Sequence, residues 1–358
     1  MERSFTKDGI ILLNKSKGVS SFKAIDELKR KIKAKKAGHA GTLDPMAEGL
    51  MVVMINDATK FSDDLMKKDK EYYVEMELGY KTDTYDSEGT VIEEYKSEIE
   101  LSDSKIIRTI HKFKGKIKQV PPMYSAIKVE GQKLYDLARK GIEVERVARD
   151  VKIMEIRKIK IHRPKKNSEE SSRIKISFYV RVSSGTYIRS LVHDIGEKLG
   201  VFATMTKLVR TKIGRLSIED AVSLEEVQSE IGKLKELVEE KRENESFWAT
   251  KSDAAIRAEK IREIVCFVEI EYILDYYGIN ISNEKYGKLK NGMTVIDTFK
   301  KFENISKDIK RQEHIKENQK FKIYVRNRDT QEREFKGIVK IASIRGSRIY
   351  LKRDKYFL

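Results

Sequence analysis

Two kinds of apolar pattern run along the 358-residue chain. Residues 9–13 and 50–55 are continuous apolar runs, which predicts strands buried on both faces. Tyr72, Val74, Met76 and Leu78 alternate with Tyr73, Glu75, Glu77 and Gly79. Ile174, Ile176, Phe178, Val180 and Val182 alternate in the same way with Lys175, Ser177, Tyr179, Arg181 and Ser183. A period of two predicts half-buried strands, with Tyr72 on the inward face. Helical spacing appears first in Phe22, Ile25, Leu28 and Ile32, behind a Ser20 or Ser21 cap. The other face of that helix carries Lys23, Lys29, Arg30, Lys33, Lys35 and Lys36. Further helices are predicted over 61–70, 102–113, 134–140 (closed by Gly141) and 191–199. Residues 223–261 are helical in pattern and highly charged, and 264–277 fit either a continuation or a strand and a helix. Short strands at 293–296, 321–325, 337–344 and 348–351 end the chain. Residues 163–172 read as a polar loop and 300–320 as a long polar insertion.

Composition narrows the partners. The formal net charge is +17, the pI is about 9.5 and 37% of residues are charged. Such an excess suits a polyanion, either nucleic acid or an acidic membrane surface, although a lysine-rich, solubility-driven composition gives the same numbers. Cys266 is the single cysteine, so no internal disulfide can form. His39, His111, His162, His193 and His314 have no spacing that suits zinc. The acidic run at 83–89 lacks the ligand pattern of a calcium loop and reads as a hairpin loop. Neither a dinucleotide fingerprint nor a P-loop is present, so no cofactor and no metal are expected. No stretch approaches the roughly 18 apolar residues of a membrane span, and a soluble, cytoplasmic protein is expected.

The chemistry concentrates in Gly38-His39-Ala40-Gly41-Thr42-Leu43-Asp44-Pro45-Met46-Ala47-Glu48-Gly49. Three glycines allow close backbone approach, and Pro45 drives Asp44 toward an extended conformation. Asp44 is then either an ordinary turn cap or a carboxylate presented by a rigid scaffold. Basic residues interleave with Tyr124 and Tyr135 from Lys112 to Lys140, a mixture that suits unstacked RNA.

The order of these residues resembles the catalytic-aspartate segment of the bacterial tRNA pseudouridine-55 synthases, the TruB family. Three further segments resemble that family's motifs in the right order: Lys70-Glu71-Tyr72 with Leu78 to Gly89, Gly185-Thr186-Tyr187-Ile188-Arg189-Ser190-Leu191, and Thr206-Lys207-Leu208-Val209-Arg210-Thr211. Pro122-Met123-Tyr124-Ser125-Ala126 resembles the start of the family's RNA-gripping insertion, here about 119–150. In the turn after the first strand, Asn14-Lys15-Ser16-Lys17-Gly18, Ser16 stands where the family has proline.

The resemblance implies a mixed α/β (α+β) catalytic domain on a largely antiparallel sheet. The expected division is a catalytic domain over 1–225, a charged helical connection over 226–281 and a small PUA-like β-barrel over 282–358. It implies isomerisation of one T-loop uridine of tRNA with Asp44, Tyr72 and Arg189 as catalytic residues. His39, Gly41, Thr42, Tyr187, Leu208, Arg210, Lys15, Met123 and Tyr124 would contact substrate. The enzyme would act as a monomer without an obligate protein partner. A guide-RNA-dependent synthase or a non-catalytic RNA-binding protein are the competing expectations.

Overall fold

A computed structural model describes residues 8–298 and 315–357, apart from 126, 130, 165–172, 243–266, 269 and 328. Cys266, His314, Ala126, most of the polar loop, residues 243–261 of the charged helix and most of the polar insertion lie outside the described residues.

The large sheet is built from β1 (Gly9–Lys15), β2 (Ala37–His39), β3 (Glu48–Ile55) and β4 (Lys70–Leu78), with β5 (Tyr80–Thr82) and β6 (Val91–Glu94) forming a separate hairpin. β7 (Gly115–Gln119) follows, then a two-residue pair, β8 (Lys128–Val129) and β9 (Gln132–Lys133). β10 (Arg149–His162), β11 (Lys175–Val182), β12 (Ala203–Ile213), β13 (Leu216–Ser217) and β14 (Phe267–Val268) complete it. Its order is β14-β1-β3-β12-β4-β11-β10-β7, with β2 on β3 and β13 on β12. Every pairing is antiparallel except β3 with β12, where Glu48 faces Val209 and Gly49 faces Arg210.

The apolar patterns are explained by what covers each face. Ile11, Leu13, Met51 and Val53 enter one core together with Tyr72, Val74 and Met76 of β4 and Phe178 and Val180 of β11. Among the described residues four helices pack on that core: α1 (Ser21–Lys31), α3 (Asp103–His111), α5 (Ile188–Leu199) and, through Leu224, Val227 and Ile231, α6 (Leu224–Arg242), with α2 (Ser62–Met66) and α4 (Leu134–Ala138) lying between the first three in sequence. Ile10, Leu12, Leu50, Val52 and Met54 point to the other face and meet Phe61, Leu65, Leu274 and Ile338 in a second core. β1 and β3 therefore carry no polar alternation, whereas β4 keeps Tyr73, Glu75 and Glu77 half-buried on the second face. The last strands form a five-stranded sheet with its own core, which includes Phe321, Ile323, Val339, Ile341 and Leu351. This is the small PUA-like β-domain.

Some local expectations shift. Phe22 is 80% exposed, because the buried stripe of α1 runs through Ser21, Ala24, Ile25 and Leu28, and Phe22 points about a quarter-turn away from it. Ser20 is the cap, accepting from the Lys23 amide at 3.2 Å. Residues 56–66 divide into a 3-10 turn (Asn56–Phe61) and α2, and Lys70 already opens β4. α5 starts at Ile188 rather than at Leu191, which puts Arg189 in its first turn.

α5 is fixed to the sheet by a close approach at Gly196. A Cβ there would lie 2.2 Å from the Ala203 nitrogen and 2.5 Å from the Phe202 carbonyl carbon. Both neighbours are backbone, so relief requires moving the helix or β12. Gly196→Ala is expected to lower stability by roughly 1–3 kcal/mol, read as a lower urea midpoint with an unchanged slope.

Candidate active site

Asp44 lies in the connection from β2 to β3, and that connection is tied down from several sides. Ser21, buried at the start of α1, bonds both ways with Leu43: its hydroxyl donates to the carbonyl and accepts from the amide, each at 2.8 Å. The Gly18 amide donates to the Pro45 carbonyl at 2.8 Å, and the Ala47 amide to the Asp44 carbonyl at 3.1 Å. Arg210 on β12 donates through Nε to the Leu50 carbonyl at 2.7 Å and through Nη2 to the Gly41 carbonyl at 3.1 Å. Gly49 has φ +98°, and a Cβ would stand 2.5 Å from the Arg210 carbonyl oxygen. Only glycine lets β3 run this close to β12 in that conformation.

Arg189 reaches the loop from α5. Its Nη2 lies 2.9 Å from Asp44 Oδ2, and Nη1 lies 3.5 Å from Asp86 Oδ2. Nη1 also donates to the Thr84 carbonyl at 3.1 Å and Nη2 to the Tyr124 carbonyl at 2.8 Å. The Arg189 and Asp86 side chains are each 6% exposed, and the Asp44 side chain is 39% exposed. One buried cation thus joins two carboxylates, of which only Asp44 faces outward. Removing one partner from such a buried pair costs roughly 3–5 kcal/mol, since the remaining charge is stranded.

Asp86 is the member of this centre that sequence reasoning missed. The acidic run at 83–89 is the loop of the β5–β6 hairpin, as the sequence reads, but that reading says nothing of burial. The structure folds Asp86 inward: its Oδ1 accepts from the Thr84 hydroxyl at 2.7 Å and from the Glu88 amide at 3.1 Å, leaving Oδ2 for Arg189. The signal was the Thr82-Asp83-Thr84-x-Asp86 order, in which the Thr84 hydroxyl donates to the Asp86 carboxylate and the Thr82 hydroxyl to the Asp86 backbone carbonyl.

The remaining site residues fall into two groups. Tyr187 caps α5, with its amide donating to Gln119 Oε1 at 2.8 Å and its carbonyl accepting from Gln119 Nε2 at 3.0 Å. Burial pushes the Tyr187 hydroxyl up, and Asp44 and Arg189 both act on it electrostatically. Tyr72 is buried on β4, where its backbone faces Val180 and Arg210. Tyr124 touches Arg189 through its carbonyl, and Met123 beside it is half-buried. Gly41 and Thr42 lie in the Asp44 connection, with Thr42 exposed.

The second group packs the scaffold. Leu208 is core. Arg210 is fully buried and spends its donors on carbonyls. His39 accepts from the Gly41 amide through Nδ1 at 3.2 Å, and burial, then the Arg210 charge, holds its pKa below the usual value. Lys15 is buried and donates to the carbonyls of Val19 at 2.7 Å, Ser16 at 2.9 Å and Pro45 at 3.3 Å. Lys70, also missed from sequence, donates to the carbonyls of Met66 and Lys68. Burial lowers both ammonium groups to about 8.

Comparison with known proteins gives this arrangement its class. The TruB family pseudouridylate synthase N-terminal domain matches residues 29–188, and the tRNA pseudouridylate synthase B C-terminal domain matches residues 189–265. The tRNA pseudouridine synthase B of Fusobacterium nucleatum is 50% identical over 212 residues, which cover 59% of this chain and 70% of that protein. Its counterpart in Clostridium perfringens (strain 13) is 40% identical over 291 residues, covering 81% and 85%. A Cbf5-Nop10-Gar1 complex in crystals has the same fold, with TM-score 0.59 and 22% identity over 98% of this chain and 85% of that one. Fold and site define a pseudouridine synthase. The chain belongs to the TruB family of pseudouridylate synthases.

Lys15 supplies a test of the geometry that needs no substrate. Between pH 8 and 10.5 the unfolded chain holds the Lys15 proton and the folded one does not, so this group adds stability as pH rises. Between pH 7 and 9.5 the wild type is expected to gain about 2 kcal/mol on Lys15→Met. Urea unfolding of both proteins at the two pH values measures it, and parallel curves would mean that Lys15 titrates normally.

Proposed function

We propose that this chain converts one uridine in the T loop of tRNA, uridine 55, into pseudouridine, with Asp44 as the reacting carboxylate. The observation that carries this is the Arg189 centre, which keeps one carboxylate buried and turns the other outward. The relatives named tRNA pseudouridine synthase B support tRNA as the substrate, and the net charge of +17 suits a phosphate-rich partner.

The reaction breaks the N1–C1′ bond, turns the uracil and joins C5 to C1′. The C5 proton leaves and N1 regains one, so product and substrate are isomers. The uridine must first leave its stack, because the reacting atoms are hidden inside a folded loop. Asp44 then acts as nucleophile or base, held in place by the Arg189 guanidinium at 2.9 Å. Tyr72 stacks on the flipped uracil, and His39 fills the space it leaves. Tyr187, Tyr124, Met123, Gly41 and Thr42 line the approach. Lys15, Arg210 and Leu208 support that approach from behind. The catalytic unit spans 1–225, and the β-domain over 282–358 grips the tRNA. The protein works as a monomer without guide RNA, in the cytoplasm where tRNA is found. No helix among the described residues is long and apolar enough to cross a membrane.

The decisive assay uses purified protein, an unmodified tRNA transcript and no guide RNA. Pseudouridine is expected at a single T-loop position. Asp44→Ala is expected to abolish it while tRNA affinity stays within about threefold, since the carboxylate acts on the reacting atoms more than on binding. Affinity that falls as far as turnover would sink this division of roles. Arg189→Lys is expected to cut kcat by at least about 100-fold, because an ammonium cannot reproduce the planar fork that holds both carboxylates. Near-normal turnover would rule out the ion pair as a catalytic requirement.

A further inference from the structure

Arg189 is held partly by a turn whose middle residue has an unusual conformation. Thr84 offers its carbonyl and Asp86 its carboxylate, and Tyr85 between them has φ +65°. The left-handed region is unfavourable for a bulky side chain, so something must hold Tyr85 there. Backbone bonds contribute: the Tyr85 amide donates to the Thr82 carbonyl at 3.2 Å, and its carbonyl accepts from the Met205 amide at 3.2 Å. The side chain adds a contact on the helix that carries Arg189. The Tyr85 ring lies on the His193 imidazole with centroids 4.0 Å apart and planes 6° from parallel. His193 follows Arg189 by four residues on α5, so both side chains leave the same face of the helix.

We propose that Tyr85 and His193 are a positioning pair for pseudouridine formation: their stack clamps the Thr82–Asp86 turn to α5 and so fixes the Arg189 guanidinium toward Asp44. The proposal rests on the function put forward above. Neither residue touches the reacting aspartate. They act on the one segment that supplies two of the four Arg189 partners. The surroundings of His193 hold its pKa below the usual imidazole value. Burial lowers its proton affinity most, Lys81 and Arg146 lower it further, and Glu197 opposes them. Lys81 is itself engaged with Glu93 at 3.0 Å and Glu197 at 3.8 Å.

Steady-state kinetics on a tRNA transcript test the pair, together with the NMR signals of the Arg189 guanidinium in the full-length protein. His193→Ala and Tyr85→Gly are each expected to lower kcat about tenfold with KM within about threefold of wild type. Glycine accepts φ +65° freely, so loss in Tyr85→Gly reports the missing ring and not backbone strain. Tyr85→Phe and His193→Phe keep a ring on each side and are expected to recover most of the loss. The double variant Tyr85→Gly/His193→Ala is expected to be no slower than either single one, as for two halves of one contact. The slowly exchanging Arg189 guanidinium signals of the wild type are expected to broaden in His193→Ala. Wild-type kcat in both single variants, multiplicative losses in the double variant, or unchanged guanidinium signals would each overturn the proposal. A wild-type protein inactive on tRNA whose Arg189 signals still broaden in His193→Ala would overturn the functional reading and uphold the pair.

Discussion

The site depends on one buried positive charge. Arg189 comes from the first turn of α5, and its partners come from three other places: the β2–β3 connection, the turn after β5 and the extended segment after β7. A guanidinium suits this because its donors are fixed in one plane and stay charged at any working pH. Desolvating such a charge is expensive, so its partners must be in place together. Fixing that one group therefore fixes the relative positions of four segments distant in sequence. Its most exposed partner is Asp44, the carboxylate that faces outward.

Around this centre the chain uses cations as staples. Lys15, Lys70 and Arg210 are buried, and each donates to backbone carbonyls rather than closing a salt bridge with a carboxylate. Loop carbonyls near the site lack strand partners, and an unpaired buried carbonyl costs free energy. An ammonium can satisfy up to three of them, as Lys15 does. Losing water is unfavourable for the charged form, which is why Lys15 and Lys70 hold their protons only up to about 8. The carbonyl contacts and the strain of burial are two sides of one arrangement.

Much of this was legible in the residues, and the reasons for the failures are specific. Continuous and alternating apolar runs identified β1, β3, β4 and β11, because a strand buried on both faces and one buried on a single face have different periods. The Asp44 segment stood out because glycine, proline and aspartate there have strong backbone meanings. Phe22 was misread because the small residues Ser21 and Ala24 complete the buried stripe of α1, and a pattern read from large apolar residues passes over them. Asp86 was missed because local sequence cannot show that the fold will bury it against a cation from a segment about 100 residues away. Arg210 had the right neighbourhood, yet spacing could not tell a donor aimed at substrate from one aimed at carbonyls. Periodicity reports burial, while partner choice is set by tertiary contacts.

Asp44 and Asp86 show why that distinction matters for function. Both carboxylates face the same guanidinium, yet they differ in what else they meet. Asp86 has one oxygen occupied by Thr84 and Glu88 and the other turned to Arg189, and its side chain is closed to solvent, so a substrate cannot reach it. Asp44 has no hydrogen bond from its own turn that competes for its outer oxygen, and it sits on a connection fixed by Ser21 and Arg210. Reactivity thus follows from the environment and not from residue type. The buried aspartate sets the arginine, and the arginine sets the aspartate that is open to solvent.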